Sequence, residues 1–311
     1  MRSAAPRPVP SRREFVAALL AATAHSAVAP ATFAQVSGSM PKLEAGASLG
    51  RMLGLSAATN LRDLGGYGTT GGKTVIRGFV YRSDVFSPLG ADDITRLGRV
   101  GFRQVYDLRT VPEMKAQPDQ IPAGAVHVPL NVLADAQSAA PAQLEALMHD
   151  PRKANAVLGG GKVEAHFAEG YREFVSLPSA KRAYRELFTA LADRSRLPAV
   201  FHCTTGKDRT GWAAAALLTL LGVPADTVMA DYLRSNDNLL PYYKSTIDRF
   251  AAEGGDGAIP IAILGVKREY LEASFDELRK RHGTIEKYFS DGLGIDAATQ
   301  QRLKDVLLQT T

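Results

Sequence analysis

Cysteine and tryptophan are scarce in this chain of 311 residues, which contains one of each, Cys203 and Trp212. A single cysteine excludes an internal disulfide. A strong charge of either sign is also missing, because 37 lysine and arginine residues stand against 32 acidic residues, a net charge of +5. This mild, scattered excess is weak support for anionic substrates or a membrane surface, and it argues against nucleic acid as a partner.

Long hydrophobic runs are absent as well, and this decides how the N-terminus is interpreted. Arg12 and Arg13 form a twin arginine, and an alanine-rich apolar segment follows at residues 17–29. That segment is too short and too rich in alanine to span a membrane well. Small residues at positions 32 and 34, in the stretch Thr32-Phe33-Ala34, suit a cleavage site. We therefore expect residues 1–34 to be an export signal of the bacterial twin-arginine type.

The rest of the chain is predicted to be a linker and one folded domain. Residues 35–58 are rich in glycine and other small residues, which is typical of a linker. Residues 59–311 carry strand and helix patterns without an internal repeat. The sequence thus predicts an exported protein, periplasmic or secreted, with no stable membrane anchor in the mature chain.

The most informative stretch predicts a strand, a tight loop and a helix in immediate succession. Residues 199–201 are a short apolar run after Pro198, which suits a buried strand. Residues 204–208 are polar, and residues 212–221 are too uniformly apolar for a surface helix, so we expect a buried one. Cys203 lies at the bend between the strand and the loop.

This geometry predicts an anion-binding loop with a reactive thiol. The amide groups of the loop and the free N–H groups of the first helical turn converge on one point and favour an anion there. The same field stabilises a thiolate, so Cys203 is expected to be nucleophilic near neutral pH. The fork of Arg209 can hold two oxygens of a tetrahedral oxyanion, and the hydroxyl of Thr210 can assist the departing sulfur. Together these groups fit phosphoryl transfer through a cysteinyl-phosphate.

Two other interpretations of the loop do not fit. Gly206 and Lys207 are followed by Asp208 instead of serine or threonine, which excludes a nucleotide-binding Walker loop. His202 and Cys203 are neighbours on a strand and point to opposite faces, which is poor geometry for a metal site. The sequence therefore predicts no metal and no cofactor. His202 is predicted to be a buried supporting group rather than a general base.

The loop resembles the signature of the protein tyrosine phosphatase superfamily. Its version is similar to that of the bacterial branch of secreted tyrosine/serine and lipid phosphatases, and it reads His202-Cys203-Thr204-Thr205-Gly206-Lys207-Asp208-Arg209-Thr210-Gly211. Shorter segments that resemble the same family lie at residues 60–66, 82–83, 107–113, 231–236 and 282–288. The resemblance spans residues 59–311 apart from a gap near residues 131–165.

The resemblance implies an α/β, tyrosine-phosphatase-like fold with a mainly parallel central sheet flanked by helices. The alternation of strand and helix patterns predicts the same class, with the site at the carboxyl ends of the strands. We expect a helical lid or insertion within residues 131–161, and another loop over the cleft at residues 237–263.

The resemblance also implies roles for the loop residues. Cys203 is the expected nucleophile, Arg209 the clamp on the phosphate, and Lys207 an extra phosphate-binding cation. The remaining phosphate-binding residues are expected to be Thr204, Thr205, Gly206 and Thr210.

Two groups of polar residues outside the loop are expected to support it. Asp107 and Glu113 could orient Arg209 or the attacking water, or simply pair with Arg109. The polar residues at 60–66 and 82–84 are expected to be scaffolding first and substrate contacts second.

No segment of this chain matches the motif that carries the general acid in many members of the superfamily. Many members of the superfamily use an aspartate on a Trp-Pro-Asp loop, but the only tryptophan here is Trp212, inside the predicted buried helix. Asp208 is the predicted acid because it lies in the loop beside Arg209. The alternative is that Asp208 only forms a salt bridge with a neighbour and shapes the loop. Further candidates without a matching motif are Asp107, Asp119 and Asp135.

These observations predict a metal-independent phosphatase acting on phosphotyrosine proteins, with phosphoserine/threonine or phosphoinositides as further substrates. Two alternatives belong to other classes. A phosphate-binding module without turnover usually loses the cysteine or the arginine, and both are present. A sulfurtransferase also uses a loop cysteine, but the Arg-Thr pair and the surrounding segments argue against it.

Overall fold

A five-stranded sheet is the centre of the computed structural model, which describes residues 52–136 and 147–310. The strands in this part of the chain are β1 (Arg62–Asp63), β2 (Lys73–Val75), β3 (Val80–Ser83), β4 (Gln104–Asp107), β5 (Val126–Pro129), β6 (Ala199–His202) and β7 (Leu308–Thr310). The central sheet has the order β1-β3-β6-β4-β5, and β2 pairs with β7 in a separate antiparallel ribbon.

Four strands of the central sheet run parallel, and β1 is antiparallel at one edge. The predicted α/β class with a mainly parallel sheet is confirmed. Strand β6 lies in the middle, and its last residue His202 is level with Ser83 of β3 and Asp107 of β4. The residues that follow these three strands therefore meet at one edge of the sheet, where α/β proteins place their sites.

Helices connect and flank the strands. Those in the described residues are α1 (Ala91–Val100), α2 (Val111–Ala116), α3 (Pro151–Leu158), α4 (Lys162–Ser176), α5 (Pro178–Leu191), α6 (Arg209–Leu220), α7 (Ala225–Leu233), α8 (Ser235–Tyr242), α9 (Lys244–Ala252), α10 (Ala258–Leu264), α11 (Arg268–His282), α12 (Ile285–Lys287) and α13 (Ala297–Leu307). A short 3₁₀ turn at Arg194–Arg196 leads into β6, and a π-type turn at Tyr288–Gly292 follows α12.

The core lies on both faces of the sheet because side chains alternate along each strand. Phe201 and Tyr106 join the large cluster that contains α6, whereas Val200 and Val105 pack on the other face with Leu97 of α1. Helix α6 is buried along nearly its whole length, as its uniform apolar sequence predicts.

A second, smaller apolar cluster lies beside the main core and joins α3, α9 and α10 to the start of α4. The helix at Pro151–Leu158 agrees with the helical insertion expected within residues 131–161, of which residues 137–146 lie outside the described residues. The prediction of a loop at residues 237–263 is wrong, because α8, α9 and α10 occupy most of this range. Its predicted position over the cleft is correct, because Leu239, Tyr242 and Ile263 line a cavity together with Thr204 and Thr205. Short helices with internal prolines have a weak local signal, and here packing of residues such as Phe250 and Ile263 stabilises them.

The described chain begins within the predicted linker. Leu55 and Ala58 are buried with Leu61 in the apolar cluster that packs on the α1 face of the sheet. The predicted export signal at residues 1–34 lies outside the described residues. Within residues 52–136 and 147–310, no helix combines the length and apolar character needed to cross a bilayer.

Candidate active site

The predicted strand, loop and helix are present and place Cys203 at the sheet edge. Cys203 directly follows β6, and its side chain is buried, with 1% of the residue exposed. Helix α6 begins at Arg209, so its free N–H groups face the loop between the two residues. An anion bound in this loop would therefore meet amide dipoles from one side.

Gly206 makes the tight turn of the loop possible. Its φ of +66° lies in the left-handed region, and a Cβ atom at this position would lie 2.2 Å from the carbonyl oxygen of Ser83. The guanidinium of Arg82 stabilises this close approach of the two backbones, because it donates to the carbonyl of Gly206 at 2.7 Å. Any larger residue at position 206 would force the loop away from β3.

The polar segments near the N-terminus of the described chain hold the loop from outside. The Asn60 side chain donates to the Thr205 carbonyl at 3.1 Å, and the Val85 N–H donates to the Thr204 carbonyl at 3.1 Å. These contacts agree with the scaffolding role expected for the segment that contains Asn60.

Asp231 anchors this scaffold between two buried arginines. Its carboxylate accepts from Arg62 at 2.9 Å and from Arg82 at 2.7 Å, and it also accepts from the hydroxyl of Tyr67 at 3.0 Å. Burial opposes the charge of Asp231, but the two guanidinium groups hold its pKa well below the ordinary value. The family-like segments at residues 60–66, 82–83 and 231–236 thus form one charged support under the loop.

Arg209 is held by Glu113 through both ends of its guanidinium. Arg209 Nη1 lies 2.8 Å from Glu113 Oε2, and Nη2 lies 2.6 Å from Oε1. The same carboxylate accepts from the hydroxyl of Thr204 at 2.8 Å and forms a capping box with Thr110 at the start of α2. Burial opposes its ionisation, yet the charge of Arg209 brings the pKa of Glu113 down to about 2.

Asp107 pairs with Arg109, which is one of the roles expected for it. Its carboxylate accepts from Arg109 at 2.7 and 2.8 Å, and it lies 3.2 Å from the ring of His127. Asp119 joins this cluster through Arg109. Oxygens of Asp107 and Asp119 and a nitrogen of His127 lie close enough to share a cation, but the guanidinium of Arg109 already occupies both carboxylates. The sequence left open which arginine each of these carboxylates contacts. In the structure, Glu113 pairs with Arg209 and Asp107 pairs with Arg109.

His202 lies beneath the loop as expected of a supporting group. Its ring is fully buried and stacks on Phe86, and Nδ1 lies 3.1 Å from the carbonyl oxygen of Cys203. The other nitrogen, Nε2, faces Asp119 at 3.5 Å.

Asp208 and Lys207 contact each other at the end of the loop, directly before α6. Lys207 Nζ donates to Asp208 Oδ1 at 2.9 Å and lies 4.9 Å from the centre of the Phe167 ring. Tyr171 donates to the same oxygen at 2.8 Å. The salt bridge considered for Asp208 is therefore present. Its role as an acid remains a prediction.

Comparison with known proteins decides the family. Residues 53–309 match the family model described as "Tyrosine phosphatase family". The chain belongs to the tyrosine phosphatase family. It is similar to a protein of Cupriavidus necator whose name places it among the tyrosine-protein phosphatases, with 32% identity over 83% of this chain and 91% of that protein. It is also similar to the triple specificity protein phosphatase PtpB of Mycobacterium tuberculosis, with 31% identity over 82% of this chain and 98% of that protein.

Membership of this family makes the protein a phosphoric monoester hydrolase, as the loop resemblance implied. A shorter match of 74 residues to a tyrosine-protein phosphatase of Nostoc commune, at 36% identity, agrees with this assignment. These relatives carry phosphatase names, and none of the names describes a sulfurtransferase.

A cavity of about 370 Å³ opens beside the loop of the phosphatase. Thr204, Thr205 and Lys207 line one side, with Asp84 beyond them. Apolar and aromatic side chains line much of the rest, among them Val85, Met148, Leu239, Tyr242, Tyr243 and Ile263. Burial raises the pKa of Asp84 to about 7, against hydrogen bonds that favour its charged form. The tyrosine phosphatase thus presents its loop to a largely apolar space that contains one unusual carboxyl group.

Thr210 differs from its expected geometry. Its hydroxyl is buried and forms no hydrogen bond with any residue that the structure describes, so the contact with the sulfur of Cys203 is not made in this state. The hydroxyl remains within the first turn of α6, directly after Arg209.

Two tyrosines of the site were not identified from the sequence. Tyr171 lies on α4 and Tyr232 on α7, and their hydroxyls lie 2.7 Å apart next to Asp208. Tyr232 falls within a segment that resembles the family, but nothing in that pattern assigns it a contact. Tyr171 gives no signal beyond its place in an amphipathic helix.

Proposed function

We propose that this phosphatase hydrolyses phosphate monoesters through a cysteinyl-phosphate. The thiolate of Cys203 attacks phosphorus, the ester P–O bond breaks, and the leaving oxygen takes a proton from Asp208. Water then attacks phosphorus and gives a proton to Asp208, and the S–P bond breaks. The products are an alcohol or phenol, inorganic phosphate and the regenerated thiolate.

The observation that carries the proposal is the ion pair of Arg209 with Glu113. Two points of contact, at 2.6 and 2.8 Å, fix the plane of the guanidinium beside the loop of Cys203. Further N–H groups of the fork remain for phosphate oxygens. A preorganised cation of this kind stabilises the charge that develops on the transferring phosphoryl group without rearranging first.

The other loop residues complete the phosphate site in this proposal. Backbone amides of Thr204, Thr205 and Gly206 bind the phosphate oxygens, and Lys207 contributes positive charge. Thr210 assists the sulfur as leaving group once the intermediate forms, which requires its hydroxyl to hydrogen-bond with Cys203.

Phosphotyrosine in proteins is the substrate that we favour. The cavity beside the loop is large enough for an aryl ring, and its walls are mostly apolar and aromatic. Phosphoserine and phosphothreonine would fill such a space less well. The relative from Mycobacterium tuberculosis is named for triple specificity, so phosphoserine and phosphothreonine peptides should be compared with phosphotyrosine peptides in one assay.

Phosphoinositides are the second candidate, and Lys207 is the observation that favours them. Lys207 is among the residues that line the cavity, and in this proposal its charge attracts a second phosphate on the same ligand. The ammonium is already paired with Asp208, which lowers the charge that it offers. We therefore rank phosphoinositides below phosphotyrosine.

Turnover by Cys203→Ser tests the mechanism. We expect this variant to lose hydrolysis of p-nitrophenyl phosphate while it still binds vanadate, and we expect chelators to leave the wild-type rate unchanged. Residual turnover in the serine variant, or loss of activity with EDTA, would contradict a cysteinyl-phosphate. A wild-type protein that binds phosphate without turnover would be a binding module, and thiosulfate turnover would indicate a sulfurtransferase.

We also propose that the phosphatase acts outside the cytoplasm. The twin arginine at positions 12 and 13, the apolar segment after it and the small residues at 32 and 34 support this location.

A further inference from the structure

Asp208 is held by two donors that act on one of its oxygens. Tyr171 donates to Oδ1 at 2.8 Å and Lys207 donates to the same atom at 2.9 Å. The other oxygen, Oδ2, accepts no hydrogen bond from the residues that the structure describes. The carboxylate is therefore fixed at one end and available at the other.

The order of donors in the tyrosine pair follows from counting protons. Tyr171 has one hydroxyl hydrogen, and a carboxylate oxygen can only accept, so that hydrogen lies on the bond to Asp208. In the 2.7 Å hydrogen bond between the two tyrosine hydroxyls, Tyr232 must then be the donor and Tyr171 the acceptor. Burial raises the pKa of both tyrosines well above the ordinary value, so both remain donors throughout the working pH range.

The arrangement is not explained by helix capping. Aspartate at the N-cap usually accepts from the first turn of its helix, but the side chain of Asp208 forms no such bond with the first turn of α6. It turns toward α4 and α7 instead. Burying a tyrosine hydroxyl costs free energy unless the hydroxyl is hydrogen-bonded. Here Tyr232 donates to Tyr171 and Tyr171 donates to Asp208, so this series of hydrogen bonds ends on the carboxylate.

We propose that Tyr171 and Tyr232 are positioning residues that hold Oδ1 of Asp208 and present Oδ2 to the leaving oxygen of the substrate. This inference rests on the proposed role of Asp208 as the general acid. In the forward step the proton leaves Oδ2 and the electron pair of the broken P–O bond accepts it. The negative charge left on the carboxylate is then stabilised at Oδ1 by the donors already in place.

Several charged and titratable groups surround Asp208 and enter its pH dependence. Lys207 and Arg209 are its neighbours in the loop, and Tyr171 and Tyr232 approach from α4 and α7. Tyr184 of α5 and Tyr270 of α11 also feel its charge, in addition to the burial that raises the pKa of each. The tyrosines among these groups are neutral, so each can be changed to phenylalanine without removing a charge.

The test compares Tyr171→Phe, Tyr232→Phe and the double variant across aryl phosphates of different leaving-group acidity. For Tyr171→Phe we expect kcat/KM to fall about tenfold for phenyl phosphate and less than about twofold for p-nitrophenyl phosphate, since a good leaving group needs little proton transfer. We also expect the alkaline limb of the pH–kcat/KM profile to move to higher pH, because the carboxylate loses a donor.

The double variant separates a chain from two independent contacts. Tyr232 acts through Tyr171, so Tyr232→Phe should have a smaller effect of the same kind, and the double variant should match Tyr171→Phe alone. Tyr288→Phe is the matched control, because it removes a buried hydroxyl that accepts from Trp212 and does not contact Asp208 or the two tyrosines in the described structure. Its kinetics should equal those of the wild type.

Two results would overturn the inference without touching the phosphatase mechanism. One is an equal loss on both substrates with an unmoved pH profile, which indicates a structural role only. The other is additivity of the two single variants. Failure of the mechanism itself would be seen separately, as turnover that survives Cys203→Ser.

Discussion

Glu113 and Arg209 form a bidentate ion pair through both carboxylate oxygens, at 2.6 and 2.8 Å, although 96 residues separate them in the chain. The pair joins the start of α2 to the start of α6. Because Thr204 also donates to Glu113, one carboxylate orients both Arg209 and the loop on which the substrate is expected to bind.

Replacing Glu113 with glutamine should therefore reduce activity strongly. We expect Glu113→Gln to lower kcat/KM for p-nitrophenyl phosphate about 100-fold, because an arginine displaced by a fraction of an ångström stabilises the transition state poorly. Glu164→Gln is the control, since Glu164 pairs with Lys267 away from the loop. Equal activity in the two variants would show that Arg209 does not depend on Glu113.

The proposed acid can be tested by Asp208→Asn. This variant should slow aryl phosphates with poor leaving groups far more than activated ones and should remove the alkaline limb of the kcat/KM profile. Asp119→Asn is the comparison, because Asp119 accepts from the N–H of Phe86 and pairs with Arg109. If Asp119→Asn has this signature and Asp208→Asn lowers all substrates equally, the acid is misassigned.

Lys207 tests the choice between substrates. We expect Lys207→Ala to lower activity on phosphoinositides more than on small aryl phosphates, since a second phosphate gains more from an added cation. Lys267→Ala serves as a control for the loss of a lysine outside the cavity. Equal losses on both substrate classes would mean that Lys207 only contributes to the general field and steadies Asp208.

Asp84 should make stability depend on pH. Burial raises its pKa in the folded state to about 7, above the ordinary value of 3.8, so the folded protein binds an extra proton between these values. The contribution of Asp84 to stability is full below about pH 4 and is lost as the pH rises to 7 and above, by as much as about 4 kcal/mol.

Asp84→Asn removes this dependence and keeps an oxygen that can accept from the N–H of Asn60. In urea unfolding, the variant should gain stability over the wild type progressively between pH 4 and pH 8. A difference between the two proteins that is constant across this range would contradict a buried carboxyl that titrates near neutral pH.

Export is tested by changing Arg12 and Arg13 to lysine together. The double variant should accumulate as an uncleaved precursor in the cytoplasm, because twin-arginine export reads both guanidinium groups. N-terminal sequencing of the protein from the extracytoplasmic fraction is the measurement. A chain found there that still begins at Met1 would contradict the proposed signal.

Local segments of the fold were predictable because their signals are local. The apolar run of residues 199–201 and the uniformly apolar residues after Arg209 predict the strand, the turn and the buried helix correctly. The helices within residues 237–263 were missed, since their stability comes from packing and not from periodicity.

The sequence by itself determined the local geometry of the loop, because Cys203, Arg209 and the residues between them are neighbours in the chain and their spacing implies that geometry. Only the tertiary structure decided which carboxylate meets Arg209, since Asp107 and Glu113 both lie in the same short segment and differ in the direction of their side chains. The same holds for Tyr171, which reaches Asp208 across 37 residues. Contacts between distant segments depend on how helices pack on the sheet, and no local pattern encodes that packing.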